Sequence, residues 1–135
     1  MKPVIKIFLF SVLAIFLFLI VYLYNKPGRD VEKETAISIS AVQLFKTYAE
    51  NEVNANKIYL DKAIDVHGTV SDFNKNQQGQ TVIILQTDDP MFGVACTLKS
   101  NNSPPLTKGS KIKLKGICSG FTNDVVLRDC IISND

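Results

Sequence analysis

The chain of 135 residues has one histidine, three cysteines and no tryptophan, and these scarcities limit the chemistry that it can carry. A structural zinc site needs about four Cys or His ligands at short spacings, whereas Cys96, Cys118 and Cys130 lie far apart. A Cys–His nucleophile would need His67 beside a thiol and a third group to orient it, and no pattern marks such a group. No paired carboxylates suited to acid–base catalysis are evident. We therefore expect no metal, no cofactor, no catalytic residue and no enzymatic activity.

The chain also lacks an excess of positive charge outside its first residues. It has 15 Lys and Arg against 13 Asp and Glu, and Lys2 and Lys6 account for the whole difference. The chain from Asn25 onward is therefore formally neutral. Phosphate neutralisation supplies most of the nonspecific affinity of proteins for nucleic acids. This charge balance argues against a nucleic-acid partner.

One long hydrophobic run is present, at the start of the chain. Residues 7–24 are apolar except for Ser11, and a run of about 18 apolar residues can span the hydrocarbon core of a bilayer. No small-residue cleavage site follows this run, and no cysteine near it could carry a lipid. We predict that residues 1–25 form an uncleaved signal anchor that contacts the bilayer through residues 4–24.

The short positive leader predicts an orientation with the N-terminus inside the cell. The chain is then a single-pass protein of the cell (inner) membrane, with its C-terminal domain outside the cytoplasm. In an oxidising compartment, three cysteines predict one disulfide and one buried thiol. Three pairings are open. We prefer Cys118–Cys130, which would join the ends of the last hairpin, and we interpret Cys96 as a small core residue.

After the anchor, the sequence predicts a linker and then a helix. Residues 26–39 have mixed charges and no periodicity, which is typical of a tether. Ser40 is a good N-cap residue, and a helical repeat of apolar residues predicts a helix over about 41–55. The apolar stripe of this helix consists of Leu44, Phe45 and Tyr48.

Five strand patterns follow the helix, with turn residues between them. Lysine and aliphatic residues alternate from Lys111 to Lys115, which is the period of a strand with one buried face. Five short strands and one preceding helix predict a mainly β fold, a small closed or nearly closed antiparallel barrel over residues 40–135. The predicted strands are 63–70, 81–86, 93–98, 108–118 and 124–132.

Several short motifs recur along the chain after the anchor: Tyr48-x-x-Asn51-Glu52, Tyr59-x-x-Lys62, Val66-x-Gly68-x-Val70, Gly116-x-Cys118-x-Gly120 and Asp124-Val125-x-Leu127-x-x-Cys130. As a combination, they resemble those of the tRNA_anti-like OB-fold domains of bacterial envelope proteins. The resemblance covers about residues 41–132 and implies a five-stranded OB-fold. By fold analogy alone, it also implies nucleic-acid binding. The region 100–105 is too short and proline-rich for the helix that OB-folds commonly have there, so we expect the helix over 41–55 to fill the barrel bottom instead.

Two groups of residues are candidate binding sites. Lys111, Lys113 and Lys115 form a lysine stripe on the outer face of the fourth predicted strand. The stripe could contact phosphate or anionic lipid. It could also be a solvated face that prevents edge pairing, which is the interpretation we prefer. Phe92, beside Met91, could form an apolar loop tip for a protein partner or could cover the barrel mouth.

The predicted second and third strands have no aromatic side chain on which bases could stack, although stacking usually supports single-strand recognition. The sequence therefore predicts a membrane-anchored, extracytoplasmic, non-enzymatic OB-fold module that binds a protein or another envelope component. The alternative is nucleic-acid or oligosaccharide binding on the barrel face. The sequence leaves the oligomeric state open.

Overall fold

The computed structural model describes residues 2–25 and 28–133, which form three helices and six strands. The helices are α1 (Pro3–Tyr24), α2 (Ala41–Glu50) and α3 (Glu52–Tyr59). The strands are β1 (Ile37–Ser40), β2 (Ala63–Lys75), β3 (Thr81–Leu85), β4 (Val94–Leu98), β5 (Lys111–Phe121) and β6 (Val125–Ile132).

Strands β2 to β6 form a closed barrel, which confirms the predicted mainly β, five-stranded architecture. Strand β2 has 13 residues and reaches two neighbours. It pairs with β5 as far as Thr69 and with β3 from Val70 onward. The sheet order β2-β3-β4-β6-β5 then returns to β2.

The seam between β4 and β6 is parallel, and the other pairs of the barrel are antiparallel. The prediction of an antiparallel barrel is wrong at this seam. The reason is parity, because strands that alternate in direction around a ring of five must leave one pair of neighbours running the same way.

The helical region before the barrel consists of two helices, and the single predicted helix over 41–55 is corrected on this point. Asn51 has an extended backbone (φ −158°, ψ 93°), which ends α2. Its side chain then caps α3 by accepting a hydrogen bond from the Asn54 amide at 3.0 Å. Ser40 caps α2 in the same way, through the Gln43 amide at 3.2 Å. Side-chain acceptors at these positions satisfy amides that a helix start leaves unpaired.

Helices α2 and α3 pack against the interior of the barrel. Leu44 and Tyr48 of α2 are buried in the same core cluster as the inward residues of the strands. The Tyr48 ring stacks on Phe121 with a centroid separation of 5.6 Å, and it lies 6.1 Å from the ring of Tyr59. Burial of such rings is a large part of the hydrophobic stabilisation of a small domain.

The predicted tether, 26–39, contains ordered structure in its described part, 28–39. Its end forms β1, which is parallel to β2 and places Ile37 opposite Ile64. Val31 is only 1% exposed and packs against Ala63 and Ile117. Residues 26 and 27 lie outside the described residues.

Helix α1 is 22 residues long, has a mean hydropathy of 3.0 over its most apolar window, and has none of that window buried in the molecule. It is therefore long and apolar enough to cross a membrane. A signal sequence can have the same properties.

Candidate ligand groove

An open groove of about 780 Å³ lies on the outer face of the barrel where β1, β2 and β5 meet. Its lining combines polar and apolar surface and includes two lysines, one aspartate, one imidazole and several hydroxyl groups. The polar lining residues include Ser38, Ser40, His67, Thr69, Asp88, Lys111 and Lys113.

Strand register brings these side chains to one face. His67 of β2 lies opposite Ser40 of β1 and opposite Lys113 of β5, and Thr69 lies opposite Lys111. Residues two apart on a strand point to the same side of the sheet, and directly opposed residues have Cβ atoms about 4.5–5.5 Å apart. The groove therefore has three parallel rows of polar side chains.

The start of α2 forms one wall of the groove, with Ala41 and Val42 among the lining residues. Gly68 permits this close approach, because a Cβ atom at that position would lie 3.0 Å from the Cβ of Ala41. Helix α2 is 10 residues long, and its N-terminal end has the positive pole of the helix dipole. This pole adds to the positive character given by the two lysines.

The lysines of the predicted stripe have different surroundings. Lys111 is exposed and lines the groove, and Lys113 lines the groove while its Nζ lies 3.5 Å from a carboxylate oxygen of Asp65. Lys115 instead donates a hydrogen bond of 3.0 Å to the backbone oxygen of Glu32. Only the first two members of the stripe therefore belong to the groove, and their role in binding stays a prediction.

Asp72 lies outside the groove and binds Lys108, with 2.7 Å between Nζ and a carboxylate oxygen. The hydrogen bond from Lys108 is the main cause that holds the pKa of Asp72 below its ordinary value, and a bond from the Phe73 amide adds to it. Lys108, which flanks the stripe in sequence, therefore has a local structural contact.

The loop that contains Phe92 is fixed by its own hydrogen bonds. A carboxylate oxygen of Asp89 accepts bonds from the amides of Met91 and Phe92, at 2.8 and 2.9 Å. The Thr87 hydroxyl donates to the backbone oxygen of Phe92 at 2.6 Å. Phe92 is partly buried, and the side chain presented to solvent is that of Met91, which is 79% exposed. The apolar tip predicted from the sequence is therefore mainly Met91.

The outer face of β3 and β4 has small aliphatic and hydroxyl side chains. Its outward residues, Val82, Ile84, Ala95 and Thr97, are all partly buried. Neither strand has an aromatic residue, so this face has no ring on which a base could stack.

The three cysteines are buried free thiols. The sulfur of Cys118 lies 3.2 Å from the Tyr48 hydroxyl oxygen. The Cys130 thiol interacts with that of Cys96, and this hydrogen bond together with burial raises the pKa of Cys130. A raised pKa keeps a thiol protonated and unreactive at neutral pH.

The structure does not bring the preferred disulfide pair, Cys118–Cys130, together. The β5–β6 register places Cys118 opposite Leu127, three residues before Cys130. Leu127 and Cys130 are both buried in the core, because β6 is irregular at Asp129 (φ 52°), so the two cysteines differ in register along the strands and not in the face that they occupy. Cys96 is likewise opposite Leu127, so a disulfide stays a prediction and the three pairings stay open.

Within 2–25 and 28–133, no three His, Cys, Asp or Glu side chains come together as a metal site. Sequence reasoning treated His67 as an ordinary exposed strand residue and did not identify the groove. The strand that the sequence interpretation did not predict is β1. Its alternation Ile37-Ser38-Ile39-Ser40 is a strand signal, but the strand is only four residues long.

Comparisons with known proteins agree on the fold. The family model described as tRNA_anti-like matches residues 1–131, which confirms the resemblance seen in the sequence. A crystal structure from Klebsiella pneumoniae, described as a "putative nucleic acid-binding lipoprotein", superposes with a TM-score of 0.60. It is 18% identical and covers 81% of this chain and 100% of its own. No curated protein matches the chain.

Proposed function

The chain belongs to the tRNA_anti-like family, and from that premise we propose that it is a membrane-anchored OB-fold module that binds an anionic component of the cell envelope. Its ligand site is the groove between β1, β2 and β5. It acts by binding and not by catalysis, with α1 retained in the inner membrane and the barrel outside the cytoplasm.

The observation that carries this proposal is the composition of the groove. Lys111 and Lys113 supply positive charge, and His67, Ser38 and Ser40 supply groups that form hydrogen bonds. Lysine ammonium groups bind phosphate and carboxylate oxygens as point charges. The first turn of α2 adds the positive end of a helix dipole to the same wall.

The charge balance and the outer face of the barrel favour a ligand recognised by its charge. The chain after α1 has equal numbers of acidic and basic residues, so attraction of an anion depends on local charge, which Lys111 and Lys113 provide in the groove beside one carboxylate, Asp88. Because β3 and β4 offer no aromatic ring, stacking of about 1–3 kcal/mol per base is not available there.

Nucleic acid is the second candidate, and one observation favours it. The Klebsiella pneumoniae protein of similar fold is described as a "putative nucleic acid-binding lipoprotein". In this chain, the phosphates of a single strand would lie in the groove. Such binding would use the backbone, would be independent of base sequence and would weaken steeply with salt.

The test compares two polyanions, one with bases and one without. The full chain in nanodiscs of zwitterionic lipid is titrated with labelled inorganic polyphosphate and with a labelled single-stranded oligonucleotide of similar charge. We expect polyphosphate to bind at least as well as the oligonucleotide. We expect both to weaken at physiological ionic strength, where charges are screened over about 8 Å.

Two variants locate the site in this titration. Lys111→Glu should abolish binding, because it reverses the charge of the exposed groove lysine. Lys75→Glu, at the exposed end of β2 and outside the groove, makes the same charge change and should retain binding. Oligonucleotide binding that exceeds polyphosphate binding at both ionic strengths would establish the second candidate. Equal loss in both variants would remove the groove as the site.

A further inference from the structure

The segment between α1 and β1 is attached to the barrel. We call residues 29–36 the strap. Val31 lies at its centre, is 1% exposed, and packs with Ala63 of β2 and Ile117 of β5. Burying a valine side chain stabilises a folded protein by about 1.5–3 kcal/mol, so the strap has a specific binding position on the barrel.

Polar contacts hold the strap on both sides of Val31. The Arg29 guanidinium donates a bond of 2.6 Å to the backbone oxygen of Asp61, and it binds the Glu34 carboxylate at 2.8 Å. On the other side, Lys115 donates to the backbone oxygen of Glu32 at 3.0 Å. The strap is therefore connected to the α3–β2 junction and to β5.

The length of chain before the strap limits how far the barrel can be from the end of α1. Helix α1 ends at Tyr24, and the first strap contact is made by Arg29. Five steps of chain separate these residues, and a fully extended chain covers at most about 3.6 Å per step. The α3–β2 junction therefore lies within about 18 Å of the end of α1, plus the length of one arginine side chain, whatever path the chain takes.

We propose that the strap holds the α3–β2 end of the barrel against the headgroups of the bilayer, a lipid contact that rests on the proposed retention of α1 as an anchor. The surface at this end suits headgroups. Leu60 is 39% exposed, Lys62 is exposed, and Arg128 lies beside them, 3.6 Å from the Asp61 carboxylate. Arg128 is also paired with Asp129, so the attraction to anionic headgroups comes from Lys62, and Leu60 offers an aliphatic side chain to the apolar part of the membrane surface.

This arrangement also places the groove near the membrane. Lys115 contacts the strap, and Lys111 of the groove lies four residues earlier on the same strand. At about 3.3 Å per residue, the two lysines are about 13 Å apart along β5. The groove thus serves a ligand presented at the bilayer surface and does not reach ligands far from it.

Energy transfer between the barrel and the lipid tests the proposal. The full chain is placed in vesicles that contain an acceptor on the lipid headgroup, with a donor on Lys62→Cys or on Gln77→Cys in the β2–β3 turn. The native thiols are buried, so the introduced cysteine is labelled selectively. We expect clearly greater transfer from Lys62→Cys than from Gln77→Cys.

Three changes then separate the strap from other causes. A six-residue Gly/Ser insertion after Asn25 lengthens the chain without touching any strap contact and should reduce transfer from Lys62→Cys. Val31→Asp should do the same by releasing the strap, with circular dichroism to confirm that the barrel is folded. Lys33→Gln removes only the strap's local pair with Asp30 and should leave transfer unchanged.

The possible failures are distinguishable. Equal transfer from both positions, or no effect of the insertion, in a chain that stays in the membrane would overturn the strap proposal and leave groove binding intact. A chain recovered in the soluble fraction would overturn the retained anchor and the strap proposal together.

Discussion

Single residues set the closest contacts inside this barrel. Gly116 of β5 lies against β6, and a Cβ atom there would overlap the sulfur of Cys130 and come within 3.0 Å of the backbone oxygen of Arg128. The backbone oxygen cannot move without disturbing the β5–β6 ladder. Glycine is therefore required at 116 by the space available.

Gly116→Ala should lower the free energy of unfolding by about 1–3 kcal/mol, the usual cost of overpacking a core. Gly28→Ala is the matched control, because a Cβ atom at Gly28 meets nothing within 4 Å. Urea denaturation followed by circular dichroism measures both. Equal stability of the two variants would show that β6 can shift to accept the methyl group.

The pair of Asp72 and Lys108 predicts a local dependence on pH. The pKa of Asp72 is lowered, mainly by the hydrogen bond from Lys108. A carboxyl group with a lowered pKa in the folded state stabilises the fold above its unfolded pKa, and this contribution is lost as the pH falls through the folded pKa. Lys108→Met should therefore raise the pKa of Asp72 toward an ordinary aspartate value.

An NMR titration of the Asp72 carboxyl carbon checks this expectation. Lys99→Met, which removes another exposed lysine, serves as the control and should leave the Asp72 titration in place. An unchanged titration in Lys108→Met would mean that the amide of Phe73 alone sets the pKa.

At the scale of elements, the strap and β1 are parts of the folded domain. A fragment that begins at residue 41 lacks the buried Val31 and the four-residue ladder between β1 and β2. We expect its free energy of unfolding to be lower than that of a fragment that begins at residue 28. The difference should be at least the contribution of one buried valine, about 1.5–3 kcal/mol. Urea denaturation of the two fragments, both without α1, measures the difference.

A third fragment that begins at residue 37 retains β1 and removes only the strap. Its stability should fall between those of the other two, which would assign separate contributions to the strap and the strand. Identical midpoints for all three fragments would show that residues 28–40 contribute nothing to the stability of the barrel.

The elements differ in how clearly the sequence signals them. The alternation in β5 and the aliphatic run in β3 predict their strands correctly, because burial of one face imposes period two. The break between α2 and α3 depends on one residue, Asn51, whose side-chain cap competes with continuation of the helix. A periodicity of apolar residues cannot detect it, since Leu44 and Ala55 suit one long helix equally well.

At the scale of the whole molecule, the sequence predicts the barrel and the apolar span but not the groove. The groove depends on contacts between distant segments, such as Ser40 with His67 and His67 with Lys113. A sequence shows each of these residues as an ordinary polar side chain on a solvated face. Their convergence follows from the parallel pairing of β1 with β2 and the antiparallel pairing of β2 with β5, which local pattern does not specify. The same holds for the Cys96–Cys130 contact across the parallel seam.

The position of β5 has a consequence for how the protein is made. Strand β5 pairs with β2 on one edge and with β6 on the other, and it begins only at Lys111. A chain synthesised from its N-terminus therefore leaves the β5-facing edge of β2 unpaired until most of the domain has emerged. Unpaired strand edges and exposed aliphatic faces favour aggregation and degradation. We expect a chain that ends at residue 110 to be degraded rapidly in cells while the full chain persists, which pulse-chase labelling would measure. We therefore expect quality control of this protein to depend on the arrival of β5 and β6, long after α1 has been made.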